Sequence, residues 1–212
     1  MNQYVYTLEP AHATMFDTLS AAEQAVLADH TAYRQQLLHD EIAILVGAST
    51  IQDQQTIAMI FFEASDDEAA NRIMVDDPAV SGRLMRACLY PHRMSLWNAE
   101  AFTLVDGQQH YFYKIRPTRP AMIASGATEL EGKAMGEHFM YLKDLSEKGI
   151  FAFAGPTLVA DNSNFGAGLL RADSLDAAWE ISQNDPAVIN RVMRLDIFPF
   201  TVMGYRLNFV NR

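Results

Sequence analysis

The sequence lacks most of the features that would set it apart from an ordinary globular protein. It contains one cysteine, Cys88, which excludes an internal disulfide and a cysteine-rich zinc site. Its longest apolar runs, at 42–48 and 57–62, are far shorter than the about 20 residues that span a bilayer. Residues 1–8 have neither a basic start nor a long apolar run, so we expect no signal peptide.

Basic residues are also scarce. Sixteen Lys and Arg stand against 26 Asp and Glu, which gives a formal net charge of -10 and a pI of about 4.9. An acidic surface repels phosphate backbones and anionic lipid head groups. We therefore expect neither nucleic acid nor a membrane as a partner. Because 50% of the residues are hydrophobic, the composition indicates a globular protein with a substantial core. With no signal peptide or membrane span expected and a single cysteine, the cytoplasm is the default location.

The strongest signal in the sequence is internal repetition. YVYTLEP at 4–10 matches YFYKIRP at 111–117, and DPAVSGRLMR at 77–86 matches DPAVINRVMR at 185–194 with seven of ten positions identical. Residues between these anchors, such as His30 and His138, keep the same order and spacing. The sequence therefore predicts two repeats, at 1–98 and 109–212, joined by a linker at 99–108.

Each repeat has the pattern β-α-β-β-α-β. Residues 4–9 alternate with period two, which predicts the opening strand. Ser20 with Glu23 predicts a capping box at the start of a long helix, and Gly149 predicts the end of its counterpart. A short helix is expected near Asp66 and near Ser174, and a helical turn after each Asp-Pro. The remaining strands are expected at 42–48, 56–62, 89–97, 150–154, 166–170 and 195–203.

The segment IAMIFF at 57–62 is apolar on both faces of its predicted strand. Helices cover one face of an open sheet, so the other face needs a second cover. A second copy of the same sheet, packed face to face, would provide it. We therefore expect an α+β fold in which two tandem ferredoxin-like repeats form an intramolecular α+β barrel, a pseudo-dimer within one chain.

The second repeat carries the motifs of a known family. EHFMYLKDLSEKGIFAFAGP at 137–156 contains a helical His, a Tyr-Leu pair, a Gly and an Ala-Gly-Pro, and NDP follows at 184–186. This pattern resembles the signature of the YCII-related family, and the repetition extends the resemblance to both halves. The first repeat departs from it, because Glu41 replaces the Gly and Ala48-Ser49 replaces Pro156-Thr157. We expect a reshaped or inactive pocket there.

The resemblance implies a ferredoxin-like fold, dimeric barrels and a pocket with a His/Asp pair. This pair carries over to His138 with Asp185, and to His30 with Asp77. One family member removes chloride from a chlorinated hydroxyhydroquinone, and the family is similar in fold to muconolactone isomerase. The implied function is that of a lyase or isomerase acting on a small hydroxylated cyclic or aromatic metabolite. A homodimer of the fused chain is a further expectation.

The spacing of apolar residues around the two histidines points them toward the sheet. His138 shares a helix face with Leu142 and Leu145, and His30 shares one with Leu37. Two interpretations remain open at this point. Each histidine is either an inert, hydrogen-bonded residue at the edge of the core or a general acid–base that titrates near neutral pH.

The two aspartates have an equally plain structural interpretation. Asp77 and Asp185 each precede a proline that opens a helical turn, which is typical of an N-cap. A carboxylate can cap a helix and still face a histidine, whose ring it would then orient and whose charged form it would stabilise. Capping alone and capping combined with an acid–base role both remain open.

Four further residues are candidates for substrate binding. Tyr6 and Tyr113 lie on the opening strands, Tyr141 follows His138 on its helix, and Arg191 follows Asp185. An arginine can hold an anionic group through two parallel hydrogen bonds. The alternatives are core packing for the tyrosines and surface pairing with acidic residues for the arginine.

No sequence motif indicates a cofactor. A phosphate-binding glycine loop, a nucleophile elbow and a dinucleotide fingerprint are all missing, and the other histidines lack metal-ligand spacing. We therefore predict a cofactor-independent enzyme without a metal, whose partner is a small molecule. The main alternative is a non-catalytic ligand-binding or regulatory module with the same pocket. A third possibility is a structural protein whose sheet interface mediates assembly.

Overall fold

The computed structural model describes residues 1–12, 15, 18–51 and 57–209. These residues form two compact units. The first unit comprises Met1–His92 and Thr201–Phe209, and the second comprises Arg93–Phe200. The segment 99–108, expected to be a linker, lies within the second unit and begins with a 3₁₀ helix at Ala99–Phe102.

The first unit contains an antiparallel sheet and three helices among its described residues. In chain order these elements are β1 (Asn2–Pro10), α1 (Ala21–His39), β2 (Ala43–Ser49), β3 (Ala58–Ala64), α2 (Asp67–Val75), α3 (Pro78–Ser81) and β4 (Met85–His92). The strand order is β4-β1-β3-β2, so β1 pairs with both β4 and β3. The strand expected at 56–62 begins at Thr56, which lies outside the described residues.

The second unit repeats this order and adds a short strand and a short helix. Its elements are β5 (Leu96–Trp97), β6 (Gln109–Pro117), α4 (Ala121–Ala124), α5 (Glu129–Glu147), β7 (Phe151–Pro156), β8 (Gly166–Ala172), α6 (Leu175–Gln183), α7 (Pro186–Ile189) and β9 (Met193–Tyr205). The strand order is β9-β6-β8-β7-β5. From Thr201 onward β9 belongs to the first unit, where it lies beside β2.

One predicted strand is wrong. The strand expected at 89–97 is two separate strands, because β4 ends at His92 and the chain then enters the second unit. There the N–H groups of Arg93 and Ser95 donate to the carbonyl groups of Pro156 and Ala154. The backbone hydrogen bonds of this segment are therefore satisfied by β7, a partner that no local sequence pattern reveals.

The helix ends follow the local signals closely. Ser20 and Glu23 form the predicted capping box of α1, and Thr128 and Glu131 form one at α5. Asp66 and Ser174 are the N-caps of α2 and α6, as expected. The caps therefore fix where each long helix starts and hence which of its residues face the sheet.

The residue with a left-handed backbone conformation after each long helix is a glycine in one unit and a glutamate in the other. Gly149 follows α5 with φ 71°, a left-handed conformation that glycine adopts without strain. Glu41 has the same role after α1, with φ 56°, and a side chain makes this conformation cost about 1–2 kcal/mol. The departure from the family pattern in the first half therefore leaves the backbone path unchanged.

Each unit has its own hydrophobic core between its helices and one face of its sheet. Tyr6, Phe62 and Leu37 belong to the first core, and Tyr113 and Phe151 belong to the second. The residues that alternate with them along the strands, including Phe61 and Phe112, are also fully buried. Both faces of the central strands are thus covered, as the apolar pattern predicts. Among the described residues, none of the helices is long and apolar enough to cross a bilayer.

Candidate functional site

His138 and Asp185 meet on the helical side of the second sheet. His138 lies on α5 and Asp185 is the N-cap of α7, where its Oδ1 accepts a hydrogen bond from the backbone N–H of Ala187 at 2.8 Å. Asp185 Oδ2 lies 2.7 Å from His138 Nδ1. The aspartate therefore caps a helix and faces the histidine at the same time.

A tyrosine completes this arrangement. Tyr113 lies on the central strand β6 and donates its hydroxyl hydrogen bond to Asp185 Oδ2 at 2.7 Å. The carboxylate is fully buried, whereas the side chain of His138 is 12% exposed. Asp185 thus accepts from an imidazole, a phenol and a backbone amide, which together satisfy a buried charge.

The first unit contains the same three side chains in nearly the same arrangement. His30 Nδ1 lies 2.6 Å from Asp77 Oδ1, which also accepts from the N–H of Ala79 at 2.9 Å. Tyr6 donates to Asp77 Oδ2 at 2.8 Å. The histidine therefore shares its oxygen with the helix amide here, whereas in the second unit it shares its oxygen with the tyrosine. We call each set of His, Asp and Tyr a triad.

The two triad tyrosines are held in their protonated form. Burial raises the pKa of Tyr6 and Tyr113 well above the usual range, and the charge of Asp77 or Asp185 raises each pKa further. A phenol that keeps its proton at neutral pH remains a hydrogen-bond donor. Each tyrosine therefore fixes the carboxylate from the sheet side while the histidine approaches from the helix.

Beside the second triad lies a cavity of about 510 Å³. His138 and Tyr113 both line it, and its walls are mostly apolar. The large apolar residues of the wall are Leu96, Ile115, Met122, Ile123, Met135, Phe139, Leu142, Leu158, Val159 and Met193. Because Nδ1 of His138 is bonded to Asp185, Nε2 is the ring nitrogen left for a molecule in the cavity.

Polar groups reach the cavity at a few points only. Thr157 and Asn164 line it, but the hydroxyl of Thr157 donates to the Phe165 carbonyl group and the amide of Asn164 donates to two backbone carbonyl groups. Ser95 and the exposed Arg93 also line it. The lining side chains that offer polar atoms to a ligand are therefore those of His138, Ser95 and Arg93, together with the Oδ1 atom of Asn164.

Two candidates from the sequence lie elsewhere. Tyr141 is partly buried and donates to the carbonyl group of Ile181 at 2.6 Å. Arg191 is exposed, has φ 56° just after α7, and is not a lining residue of this cavity. Tyr113 is the only one of the second unit's predicted binding residues that lines the cavity. Most of the remaining wall comes from α5, β7 and the segment that follows β7. The short elements β5 and α4, which no sequence pattern predicts, add Leu96, Met122 and Ile123.

The residues offer limited means of holding a metal. Among the described residues, no group of three His, Cys, Asp or Glu side chains is arranged to bind one. His138 Nε2 could serve as a single ligand, since a histidine whose other nitrogen bonds to a carboxylate is the common arrangement at metal sites.

Comparison with solved structures defines the class of fold. A heme-binding protein from Thermus thermophilus is 12% identical, with a TM-score of 0.55 over 96% of this chain and 92% of that one. A variant of chlorite dismutase from Candidatus Nitrospira defluvii is 12% identical, with a TM-score of 0.58 over 96% and 92%. These neighbours are dimeric α+β barrel proteins. The chain thus has an α+β fold with a large antiparallel sheet, similar to that of chlorite dismutase.

Comparison with family models identifies the second half more narrowly. The model of the YCII-related domain matches residues 113–201, which hold the whole second triad. The family resemblance noted in the sequence is therefore confirmed for this segment. None of the curated proteins compared with the sequence matches it.

Proposed function

We propose that the second unit is an enzyme site in which His138 transfers a proton to or from a small hydroxylated cyclic or aromatic metabolite. The reaction class would be that of a lyase or isomerase without a cofactor. The observation that carries this proposal is the position of His138, which lines a cavity while a buried carboxylate holds its Nδ1. Asp185 is the positioning residue, and Tyr113 and Ala187 hold Asp185 in turn.

The tautomer of His138 follows from its partner. An aspartate carboxylate accepts hydrogen bonds, so Nδ1 carries the proton and Nε2 of the neutral ring is free to act as a base. When Nε2 takes a proton, the adjacent carboxylate stabilises the imidazolium. Nε2 can then return the proton to a second atom of the same molecule, which is what an isomerisation or an elimination requires.

The cavity suits a small ring with a polar edge. Apolar side chains such as Met122, Met135 and Phe139 offer a surface for a ring, and Ser95 and Arg93 offer donors for a hydroxyl or carbonyl oxygen. A non-catalytic module that binds the same metabolite is the alternative, and the mostly apolar wall favours it as much as it favours an enzyme.

Haem must also be considered, because a solved neighbour is described as heme-binding. His138 Nε2 could ligate an iron, but the lining residues supply one cation, Arg93, for the two propionate groups of haem. The donor set therefore fits haem poorly, and we derive no step through it.

The proposal also includes the arrangement of the chain as two repeats. The matching order of elements supports two tandem ferredoxin-like repeats, at 1–98 and 109–212, that form an intramolecular α+β barrel pseudo-dimer. His30 and Asp77 would form a second and less open site, since the side chain of His30 is only 5% exposed. A cytoplasmic location, a homodimer of the chain and a small-molecule partner remain part of the proposal.

The test is proton exchange at carbon. The intact protein is incubated in D₂O with α-angelica lactone, a small cyclic enol lactone, and deuterium incorporation is followed by NMR. We expect exchange that His138→Gln reduces by about 10²–10⁴-fold, the usual contribution of a general base. His39→Gln, which changes an exposed histidine at the end of α1, should leave the rate unchanged.

Two results would count against the catalytic role. Exchange that survives His138→Gln at full rate would remove His138 from the reaction. Binding of the lactone to the wild-type protein without any exchange would favour the non-catalytic module. Melting temperatures of both variants show whether a lost rate reflects a lost fold.

A further inference from the structure

The residue four positions after each triad histidine differs between the units. In the second unit it is Leu142, which is buried and lines the cavity. In the first unit it is Arg34, which lies on the same face of α1 as His30. A cation thus stands in the first unit where the second unit has a wall of the ligand cavity.

The hydrogen bonds that Arg34 makes to other described residues go to neutral groups. Its Nη1 lies 2.9 Å from the thioether sulfur of Met203, and its Nη2 donates to the Thr31 hydroxyl at 3.3 Å. Its Nε is buried without a hydrogen-bond partner. None of the ion pairs between described residues includes Arg34. A guanidinium has five N–H donors, and a thioether is a weak acceptor, so this cation is poorly satisfied by the chain itself.

The guanidinium lies within the electrostatic field of the first triad. Burial lowers the pKa of Arg34, and the negative charge of Asp77 opposes that shift. One interpretation is that Arg34 merely compensates the buried Asp77. The second unit argues against it, because Asp185 is just as buried while its neighbour is Leu142. A buried triad carboxylate therefore does not need an arginine at this position.

We propose that the first unit binds a small carboxylate through Arg34 beside His30. The hydrogen bonds of both Nη atoms lie at the surface of the unit, while the residue itself is half-buried. A carboxylate can accept two parallel hydrogen bonds from a guanidinium, which are stronger than those to a thioether or a hydroxyl. The carboxylate would displace Met203, whose side chain is half exposed, and give Arg34 an anionic hydrogen-bond partner.

This site differs in ligand chemistry from the cavity of the second unit. The cavity has an apolar wall at Leu142, and its cation, Arg93, lies outside the helix, in the segment between β4 and β5. The first unit would select for an anion at the helix, on the face of α1 that carries His30. The inference does not depend on catalysis by His138.

Sodium benzoate and its neutral counterpart benzamide test the proposal. Each is titrated into the intact protein at constant ionic strength while the imidazole signals of His30 and His138 are followed by NMR, with assignments from His30→Gln and His138→Gln. We expect benzoate, and not benzamide, to move the His30 signal. Arg34→Leu should weaken benzoate binding at least about tenfold, as expected for loss of a charge-assisted pair. Arg34→Lys should weaken it less.

Arg72→Leu is the matched control, because it removes the same charge from an exposed position on α2 of the first unit. It should leave the response of His30 unchanged. The proposal is overturned if benzoate and benzamide move the His30 signal equally, if neither moves it, or if Arg34→Leu binds benzoate as the wild type does. The comparison of benzoate with benzamide needs no variant, so it decides the matter even if Arg34→Leu fails to fold.

Discussion

The two units keep the same buried triad and differ in what surrounds it. In both units the His Nδ1 atom and the Tyr hydroxyl each lie 2.6–2.8 Å from a carboxylate oxygen of the Asp. The neighbouring position is Arg34 in one unit and Leu142 in the other. The His–Asp–Tyr geometry is therefore a feature of the folding unit, whereas the chemistry offered to a ligand depends on the adjacent positions.

The last residues of β2 and β7 also combine a shared backbone path with different side chains. Gly155-Pro156 and Gly47-Ala48 occupy matching places in β7 and β2, and Pro156 lines the cavity of the second unit. Both strands keep the glycine and the strand conformation, but alanine stands in the first unit where the second unit has the proline that lines the cavity. Residues shared by the two units can thus be tested for a role in stability, and residues that differ between them can be tested for a role in ligand binding.

The largest effect should come from removing the triad carboxylates. Asp185→Ala and Asp77→Ala each leave a histidine, a tyrosine and a helix N–H without their buried partner. We expect each to cost about 3–5 kcal/mol in the free energy of unfolding, measured by urea denaturation. Asp173→Ala, at an exposed position, is the control. If one of the two triad variants cost less than about 1 kcal/mol, the triads would not be equivalent structural features.

Removing only the tyrosine hydroxyl should have a smaller effect. Tyr113→Phe and Tyr6→Phe each delete one hydrogen bond to a carboxylate that keeps its other two, so we expect a loss of about 1–2 kcal/mol. Tyr111→Phe is the control, because Tyr111 is buried on the same strand and makes no such bond to a carboxylate among the described residues. If all three variants lost the same free energy of unfolding, the hydrogen bond to the carboxylate would not stabilise the protein.

Local signals in the sequence foretold much of this architecture. The capping box at Ser20, the N-caps at Asp66 and Ser174, and the residues that face the sheet on each long helix all depend on neighbours within a turn or two. The meeting of His138 with Asp185 could also be anticipated, because both side chains had to point toward the same sheet.

Other features depend on partners far away in the sequence. Tyr113 and Asp185 are 72 positions apart, and their contact depends on how β6 and α7 pack. The strand β5 is only two residues long and exists because β7 offers its backbone groups. Arg34 is the one Lys or Arg of α1, and no sequence motif marks it as a ligand contact. What distinguishes it in the folded unit is that it forms no ion pair with another described residue.

The smallest expected effect concerns acid stability at the capping boxes. Glu131 and Glu23 have matching places, but Glu131 accepts two hydrogen bonds from Arg119, at 2.7 and 2.5 Å, whereas Glu23 has His12 at 3.6 Å. Hydrogen bonding to Arg119 lowers the pKa of Glu131 to about 2, and bonding to Ser20 lowers the pKa of Glu23.

A lowered carboxyl pKa contributes stability that is present above the unfolded-state value, about 4.3, and is lost as the pH falls toward the folded-state value. The melting temperature of Glu131→Gln should therefore lie below that of the wild type at pH 6, and the gap should narrow between about pH 5 and pH 2. Glu23→Gln, measured over the same range, should show a smaller gap at pH 6. A gap for Glu131→Gln that stays constant down to pH 2 would show that the ion pair with Arg119 does not stabilise the second unit.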